Sequence, residues 1–293
     1  MTRWVSVLGL LAALTGCDEA DGERAARVEL APAWELTGFK QPESVVLEPG
    51  EGVLYVSNVD GPAGEKDGRG FISKVSLDGR LIERVWLDGL NAPKGLAVAS
   101  GKLYVSDIDA LVEVDLADKS TTRYEAPQAR FLNDVTVDAA GNVYVSDMMD
   151  DAIYRLTGDS FGLWLRDEAL EAPNGLLAED GRIVVGSWGV ITEGFATEAP
   201  GHLKTVSIAE RSVASLGDGT PVGNLDGVEA DGRGNYFVTD WMAGALLQVA
   251  PSGEAVLLLD LDQGSADHEY VAGEGLIVIP MMNDGKLVAY RVN

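Results

Sequence analysis

Short runs of alternating apolar and polar residues recur along the chain, and each run is typical of a β-strand. The clearest runs share the order aliphatic-Tyr-Val-Ser followed by Asn or Asp. Counting weaker copies, six similar units lie at 54–58, 103–107, 143–147, 183–187, 236–240 and 276–280. Successive units are 49, 40, 40, 53 and 40 residues apart. Most of them follow a glycine-rich turn and precede a second alternating strand, so each unit belongs to a small antiparallel sheet.

A repeat of this length, with several short strands in each copy, is typical of a β-propeller. The pattern predicts an all-β fold with six blades over residues 33–293. The last repeat is too short for an outer strand, so we expect residues 33–40 to supply it and close the ring. Closure pairs strand edges that would otherwise stay open. The two long intervals contain glycine-rich insertions at 60–70 and 189–201, which we expect to form loops on one rim.

The first residues have the features of an export signal. An apolar run over 4–14 follows Arg3 and ends in Leu14-Thr15-Gly16-Cys17. This run is too short to span a bilayer and has the length of a signal-peptide core. The segment resembles a bacterial lipobox, in which Cys17 becomes the lipidated first residue of the mature protein. A plain signal peptide or a first helix, with Cys17 incidental, is the alternative.

The lipobox resemblance divides the N-terminal region into a signal peptide at 1–16 and a lipidated cysteine with a polar tether at 17–32. It implies an exported lipoprotein on the periplasmic side, held at the membrane through lipid alone. Asp18 resembles the signal that retains some lipoproteins in the inner membrane.

Equivalent positions in the six repeats carry polar residues. The innermost strand of a propeller blade runs along the central channel, so its first residue faces one mouth of that channel. Counting back ten to twelve residues from each repeat gives the set Glu43, Lys94, Asn133, Asn174, Asp226 and Asp267. We expect these side chains to converge on the axis. The alternative is that they only cap strand ends, since Asn-Gly, Asp-Gly and Lys-Gly are turn dipeptides.

Oxygen ligands without sulfur or imidazole suit a hard divalent cation. Glu43 and Asp226 would supply negative charge, and the asparagines neutral oxygens. We expect one cation, Ca²⁺ first, with Mg²⁺, Mn²⁺ or Zn²⁺ as alternatives. Lys94 would offset one charge or hold an anionic ligand. The neighbouring residues Asp267 and His268 are candidate substrate-binding residues, although a packing role is the alternative for His268.

Composition excludes several classes of site and partner. The chain has 22 basic and 47 acidic residues, a net charge of −25, which argues against nucleic acid as a partner. Its single cysteine excludes an internal disulfide and a Cys-x-x-Cys zinc site. Two histidines exclude a poly-histidine metal centre and make a Ser-His-Asp triad improbable. We expect a monomer that binds a small molecule.

Four motifs in blade order resemble the senescence marker protein, gluconolactonase and luciferin-regenerating-enzyme family: Pro42-Glu43-Ser44, Phe131-Leu132-Asn133-Asp134, Ala172-Pro173-Asn174-Gly175 and Leu225-Asp226-Gly227. The resemblance implies a six-bladed propeller with one axial divalent metal held by Glu43, Asn174 and Asp226. It also implies lactone hydrolysis, in which Asn133 helps to hold water or substrate and Asp226 assists proton transfer.

The sequence departs from the family pattern at three positions. The lactonases of the family have an arginine where Phe131 stands, and Lys94 and Asp267 have no place in their usual site. Lys94 is nevertheless a candidate catalytic residue, together with Asp226 and Asn133, and Lys94 and Asn133 are also candidate substrate-binding residues. Two functions stay open: a metal-dependent lactonase or esterase, and a propeller that binds a peptide, glycan or small anion without chemistry.

Overall fold

The structure is a computed structural model, and it describes residues 28–293. These residues form β-strands with three short 3-10 turns at Met148–Asp150, Glu168–Leu170 and Ala272–Glu274. The expected signal peptide, Cys17 and most of the expected tether lie outside the described residues. Within residues 28–293, no helix is long and apolar enough to cross a membrane.

The strands follow one another in chain order. The first is β1 (Leu30–Thr37). Blade 1 contains β2 (Pro42–Glu48), β3 (Val53–Asn58), β4 (Gly70–Ser76) and β5 (Leu81–Leu90). Blade 2 contains β6 (Pro93–Ala99), β7 (Lys102–Asp107), β8 (Ala110–Asp115) and β9 (Thr121–Glu125). Blade 3 contains β10 (Leu132–Val137), β11 (Val143–Asp147), β12 (Ala152–Thr157) and β13 (Ser160–Arg166).

Blade 4 begins with β14 (Pro173–Glu179) and β15 (Arg182–Ser187). A separate hairpin of β16 (Gly189–Ile191) and β17 (Thr197–Pro200) interrupts it before β18 (Leu203–Ser207) and β19 (Val213–Ser215). Blade 5 contains β20 (Leu225–Ala230), β21 (Tyr236–Asp240), β22 (Ala245–Val249) and β23 (Ala255–Asp260). Blade 6 contains β24 (Glu269–Val271), β25 (Leu276–Met281), β26 (Lys286–Val292) and the first strand, β1.

The six four-stranded sheets form a closed ring, which confirms the predicted six-bladed propeller. Within each blade, neighbouring strands are antiparallel. The inner strands β2, β6, β10, β14, β20 and β24 each contact the inner strands of the two adjacent blades, so they surround one axis. Each repeated tyrosine packs toward the following blade; Tyr55, for example, shares a cluster with Leu96 and Leu103 of blade 2.

Ring closure uses the N-terminal strand, as the short last repeat predicted. β1 pairs antiparallel with β26 from Leu30 opposite Val292 to Thr37 opposite Lys286. The indole Nε1 of Trp34 donates to Leu77 O of blade 1 at 2.9 Å, which ties the closing strand to the next sheet. The strand begins at Leu30 and therefore covers the last residues of the range expected to form a tether.

Candidate functional site

Five of the six predicted ring residues lie together at one mouth of the channel. They line one cavity of about 120 Å³ and are at most 6% exposed. Each one is the second residue of its inner strand, which gives all five the same height along the axis. The five are Glu43, Lys94, Asn133, Asn174 and Asp226. We call the space above them the ring pocket.

The repeated Ser-Asp pair at the end of the second strand explains this alignment. Ser146 Oγ donates to Asn174 O at 2.8 Å, and Ser106 Oγ donates in the same way to Asn133 O. A hydroxyl in one blade thus fixes the backbone of the ring residue in the next blade. These bonds join adjacent blades, so they fix the inner strands relative to one another. Burial strengthens them, because the local dielectric is low.

The aspartate of the pair holds the loop that enters the inner strand of its own blade. Asp147 accepts bonds from the backbone N–H of Arg130 and of Phe131, both at 2.8 Å. Asp107 accepts the N–H of Ala92 at 2.8 Å in the same manner. The repeated motif therefore positions the ring, although it does not contribute its own side chains to the pocket.

The sixth ring position is Ala266, so the prediction that Asp267 belongs to the ring is wrong. Thr239 Oγ1 donates to Ala266 O at 3.0 Å, which is the equivalent of the bond from Ser146 to Asn174. Asp267 is one residue further along, opposite Ser44, whose hydroxyl donates to Asp267 Oδ2 at 2.5 Å. Side chains alternate in an extended strand, so a slip of one residue turns the carboxylate out of the ring.

Asp267 and His268 line a second cavity, of about 190 Å³, deeper between the inner strands. Asp134, Glu229 and Glu269 line the same space, which we call the channel cavity. His268 is 1% exposed, and neither ring nitrogen has a hydrogen-bond partner in the described part of the chain. Burial lowers the pKa of His268 to about 3, so its imidazole is neutral. The structure does not bring these two predicted substrate-binding residues into the ring pocket.

Burial dominates the electrostatics of the ring pocket. Burial and then the nearby Asp226 raise the pKa of Glu43, while Lys94 opposes the shift. Burial also raises the pKa of Asp226, and the nearby Asp267 raises it further. Burial lowers the pKa of Lys94 to about 8 despite the attraction of Glu43. The ammonium of Lys94 thus offsets the charge of Glu43, while Asp226 lies among other carboxylates.

The ring residues fit a divalent cation by their chemistry. Glu43 Oε2 is buried and has no hydrogen-bond partner among residues 28–293. Asn174 Nδ2 donates to Asp226 Oδ2 at 3.2 Å, so these two side chains already touch. Oxygen donors of this kind prefer hard cations. No group of three or more His, Cys, Asp or Glu side chains suited to a metal occurs among residues 28–293. A third side-chain ligand at this site would be an amide oxygen, and both Asn174 and Asn133 line the pocket.

Aromatic side chains form the wall of the ring pocket. Phe131 contacts Phe195 with ring centroids 5.9 Å apart, and Phe195 contacts Trp188 at 6.1 Å. Trp188 in turn contacts Trp241 at 6.1 Å. We call these four rings the aromatic wall. Lys94 Nζ lies 4.3 Å from the centroid of the Phe131 ring. Phe131 occupies the position at which the sequence departs from the arginine of the family pattern.

The sequence position of the pocket residues indicates some of them but not Phe195. Met148, Trp188 and Trp241 each directly follow the end of a second strand, at Asp147, Ser187 and Asp240. That common position is a signal that could have identified them as pocket residues. Phe195 has no such signal, because it lies in the turn between β16 and β17, inside the insertion of blade 4.

A family model of the SMP-30/gluconolactonase/LRE-like region matches residues 42–263. The match covers the first five blades, including all five polar ring residues. The chain belongs to this family. No curated protein sequence matches the chain.

Solved structures with the family's fold cover most of the chain. A gluconolactonase from Xanthomonas campestris is 14% identical, has a TM-score of 0.69 and covers 91% of this chain and 90% of its own. A putative gluconolactonase is 17% identical, with a TM-score of 0.65 and coverage of 92% and 93%. Virginiamycin B lyase from Staphylococcus aureus is 12% identical, with a TM-score of 0.63 and coverage of 91% and 100%. At these identities the likeness establishes the propeller fold.

Proposed function

We propose that the protein hydrolyses a lactone or ester at the ring pocket and that this activity depends on one divalent cation, Ca²⁺ first. Glu43, Asn174 and Asp226 would hold the cation. The observation that carries the proposal is the buried pair of carboxylates beside an amide, with Glu43 Oε2 unpartnered among the described residues. Family membership and the gluconolactonase neighbours support the reaction class.

A cation bound there would polarise the substrate carbonyl and lower the pKa of a water molecule. Asp226 is the residue placed to take a proton. Its Oδ2 accepts a hydrogen bond from the side-chain Nδ2 of Asn174. One carboxylate oxygen would bind the cation and the other would take the proton of the attacking water. Asp226 would then return that proton to the leaving oxygen as the ester bond breaks.

Lys94 and Asn133 are the groups that orient substrate. Lys94 Nζ donates one hydrogen bond, to Ala92 O at 3.0 Å, and an ammonium has further donors for an anionic oxygen. Its burial makes such a bond stronger than it would be in water. Asn133 Nδ2 rests on the sulfur of Met148 at 3.7 Å, which leaves its amide oxygen toward the pocket as an acceptor for water.

The experiment measures hydrolysis of a panel of small lactones and esters through the acid that the reaction releases. We expect turnover that a chelator abolishes and Ca²⁺ or another divalent ion restores. Asp226→Asn should remove turnover, while Glu229→Gln, a buried channel carboxylate outside the ring, should retain it. Cation binding without turnover across the panel would instead support a binding module for a small anionic ligand, with Lys94 as its anchor.

We also propose that the protein is exported and anchored through a lipidated Cys17 on the periplasmic side. The apolar run and the lipobox-like segment support this. Incorporation of a labelled fatty acid into the full chain, lost in Cys17→Ala, is the test. Label retained in that variant would contradict it.

A further inference from the structure

The polar groups of the ring pocket are confined to its floor. Glu43, Lys94, Asn133, Asn174 and Asp226 all start inner strands, and the proposed cation would occupy several of their oxygens. Above them the lining consists of the aromatic wall with Ala63, Met148 and Met282. A ligand that enters the pocket therefore meets charged and amide side chains at one end only, and the indole N–H groups of the two tryptophans are the polar side-chain atoms of the wall.

The wall has few hydrogen-bonding groups to offer. The indole Nε1 of Trp188 already donates to Phe195 O at 2.9 Å, so this tryptophan presents only its apolar surface. The Asn133 amide N–H lies against the sulfur of Met148. The phenyl rings of Phe131 and Phe195 carry no polar atom.

These contacts disfavour a sugar lactone. A lactone with several hydroxyl groups would bury some of them against carbon and sulfur, and each buried hydroxyl without a partner weakens binding by about tenfold or more. An aromatic or alkyl group gains from the same surface, because edge and face contacts between rings add to apolar burial.

We propose that the ring pocket selects lactones or esters that carry an aromatic or alkyl group and discriminates against polyhydroxylated lactones. This substrate class rests on the hydrolytic function proposed above. The reacting carbonyl points to the polar floor, and the apolar group lies against Phe131, Phe195 and the two tryptophans.

The test compares dihydrocoumarin, an aromatic lactone, with δ-gluconolactone on the cation-loaded protein. We expect kcat/KM to be about a hundredfold higher for dihydrocoumarin, from two or more hydroxyls left unpaired in the sugar lactone. Higher kcat/KM for δ-gluconolactone would overturn the inference and leave the hydrolytic function intact.

Two matched variants test whether the aromatic wall is responsible for the preference for an aromatic lactone. Phe195 and Val190 lie on the same hairpin and are each 43% exposed, but only Phe195 lines the ring pocket. Phe195→Ala should lower kcat/KM for dihydrocoumarin about tenfold, through loss of ring contact. The loss for δ-gluconolactone should be smaller, because that substrate has no aromatic ring to pair with Phe195. Val190→Ala should change neither, and equal losses in both variants would contradict the assignment.

A binding measurement keeps the inference testable if no lactone turns over. Trp188 and Trp241 belong to the wall, so their fluorescence reports on ligands there. We expect dihydroquinolinone, the lactam of dihydrocoumarin, to change the emission and a gluconolactam not to do so. Lactam binding that is weakened in Phe195→Ala would support the apolar class without hydrolysis. Preference for the gluconolactam, or no response to either lactam, would refute it.

Discussion

Gly175 allows two blades to approach at the floor of the ring pocket. It follows the ring residue Asn174, and a Cβ at Gly175 would lie 1.9 Å from the carbonyl oxygen of Asp226. Real Cβ contacts almost never fall below 3.0 Å, so Gly175→Ala must move the Asp226 backbone by about 1.1 Å (3.0 − 1.9) or more. The clash is with backbone, which cannot turn aside as a flexible side chain would.

We expect Gly175→Ala to lower the free energy of unfolding by about 1–3 kcal/mol, the usual cost of overpacking a buried site. The same displacement separates Asn174 from Asp226 and should weaken cation binding. Gly162→Ala is the matched control, because Gly162 lies in β13, where an added Cβ would meet no atom within 4 Å. That variant should be neutral or gain about 0.5–1 kcal/mol.

The assay is urea unfolding of wild type and both variants, with and without Ca²⁺. The reasoning predicts a lower midpoint for Gly175→Ala and a smaller gain of stability from the ion, with neither effect in Gly162→Ala. If Gly175→Ala unfolds at the wild-type midpoint and responds to Ca²⁺ as wild type does, the close approach of β14 and β20 is refuted as a condition for the site.

Three further results follow from the structure. Burial raises the pKa of Asp134 and of Glu269 to about 7, so the folded protein holds protons that the unfolded chain releases near pH 4. Stability of the cation-free protein should therefore fall as pH rises from about 4 through 7, and Glu269→Gln should flatten that fall in urea unfolding at a series of pH values. Asp147→Ala leaves two backbone N–H groups at the entry to β10 unpaired and should cost about 1–3 kcal/mol, whereas no change in the urea midpoint would count against the positioning role. Trp34→Phe removes the bond to Leu77 O and should cost about 1 kcal/mol in thermal unfolding, and an unchanged melting temperature would show that the bond does not secure the ring closure.

The repeat period was sufficient to predict the fold and most of the ring. Six similar strands at nearly constant spacing imply equivalent positions around one axis, and that argument located Glu43, Lys94, Asn133, Asn174 and Asp226. The argument selected Asp267 instead of Ala266 in blade 6, because the number of residues between the ring position and the repeated strand differs from blade to blade. Contacts such as the bond from Thr239 to Ala266 and the bridge between Ser44 and Asp267 fix the register there, and they cannot be read from the spacing.

The aromatic wall could not be predicted by the same argument. Phe131, Trp188 and Trp241 come from different blades, and Phe195 comes from the inserted hairpin. Trp188 and Trp241 share a position in the repeat, but the contact of Trp188 with Phe195 depends on how the inserted hairpin folds over the rim, and that hairpin has no equivalent in the other blades. The wall is nevertheless the feature on which the expected choice of substrate depends.

Calorimetric titration of the protein with divalent cations shows whether the ring pocket binds an ion. We expect one site per chain for Ca²⁺ or another hard divalent ion, lost in Glu43→Gln and in Asp226→Asn and retained in Glu229→Gln. Binding heat that survives in both ring variants, or no binding of any divalent cation by the wild-type protein, would contradict this expectation.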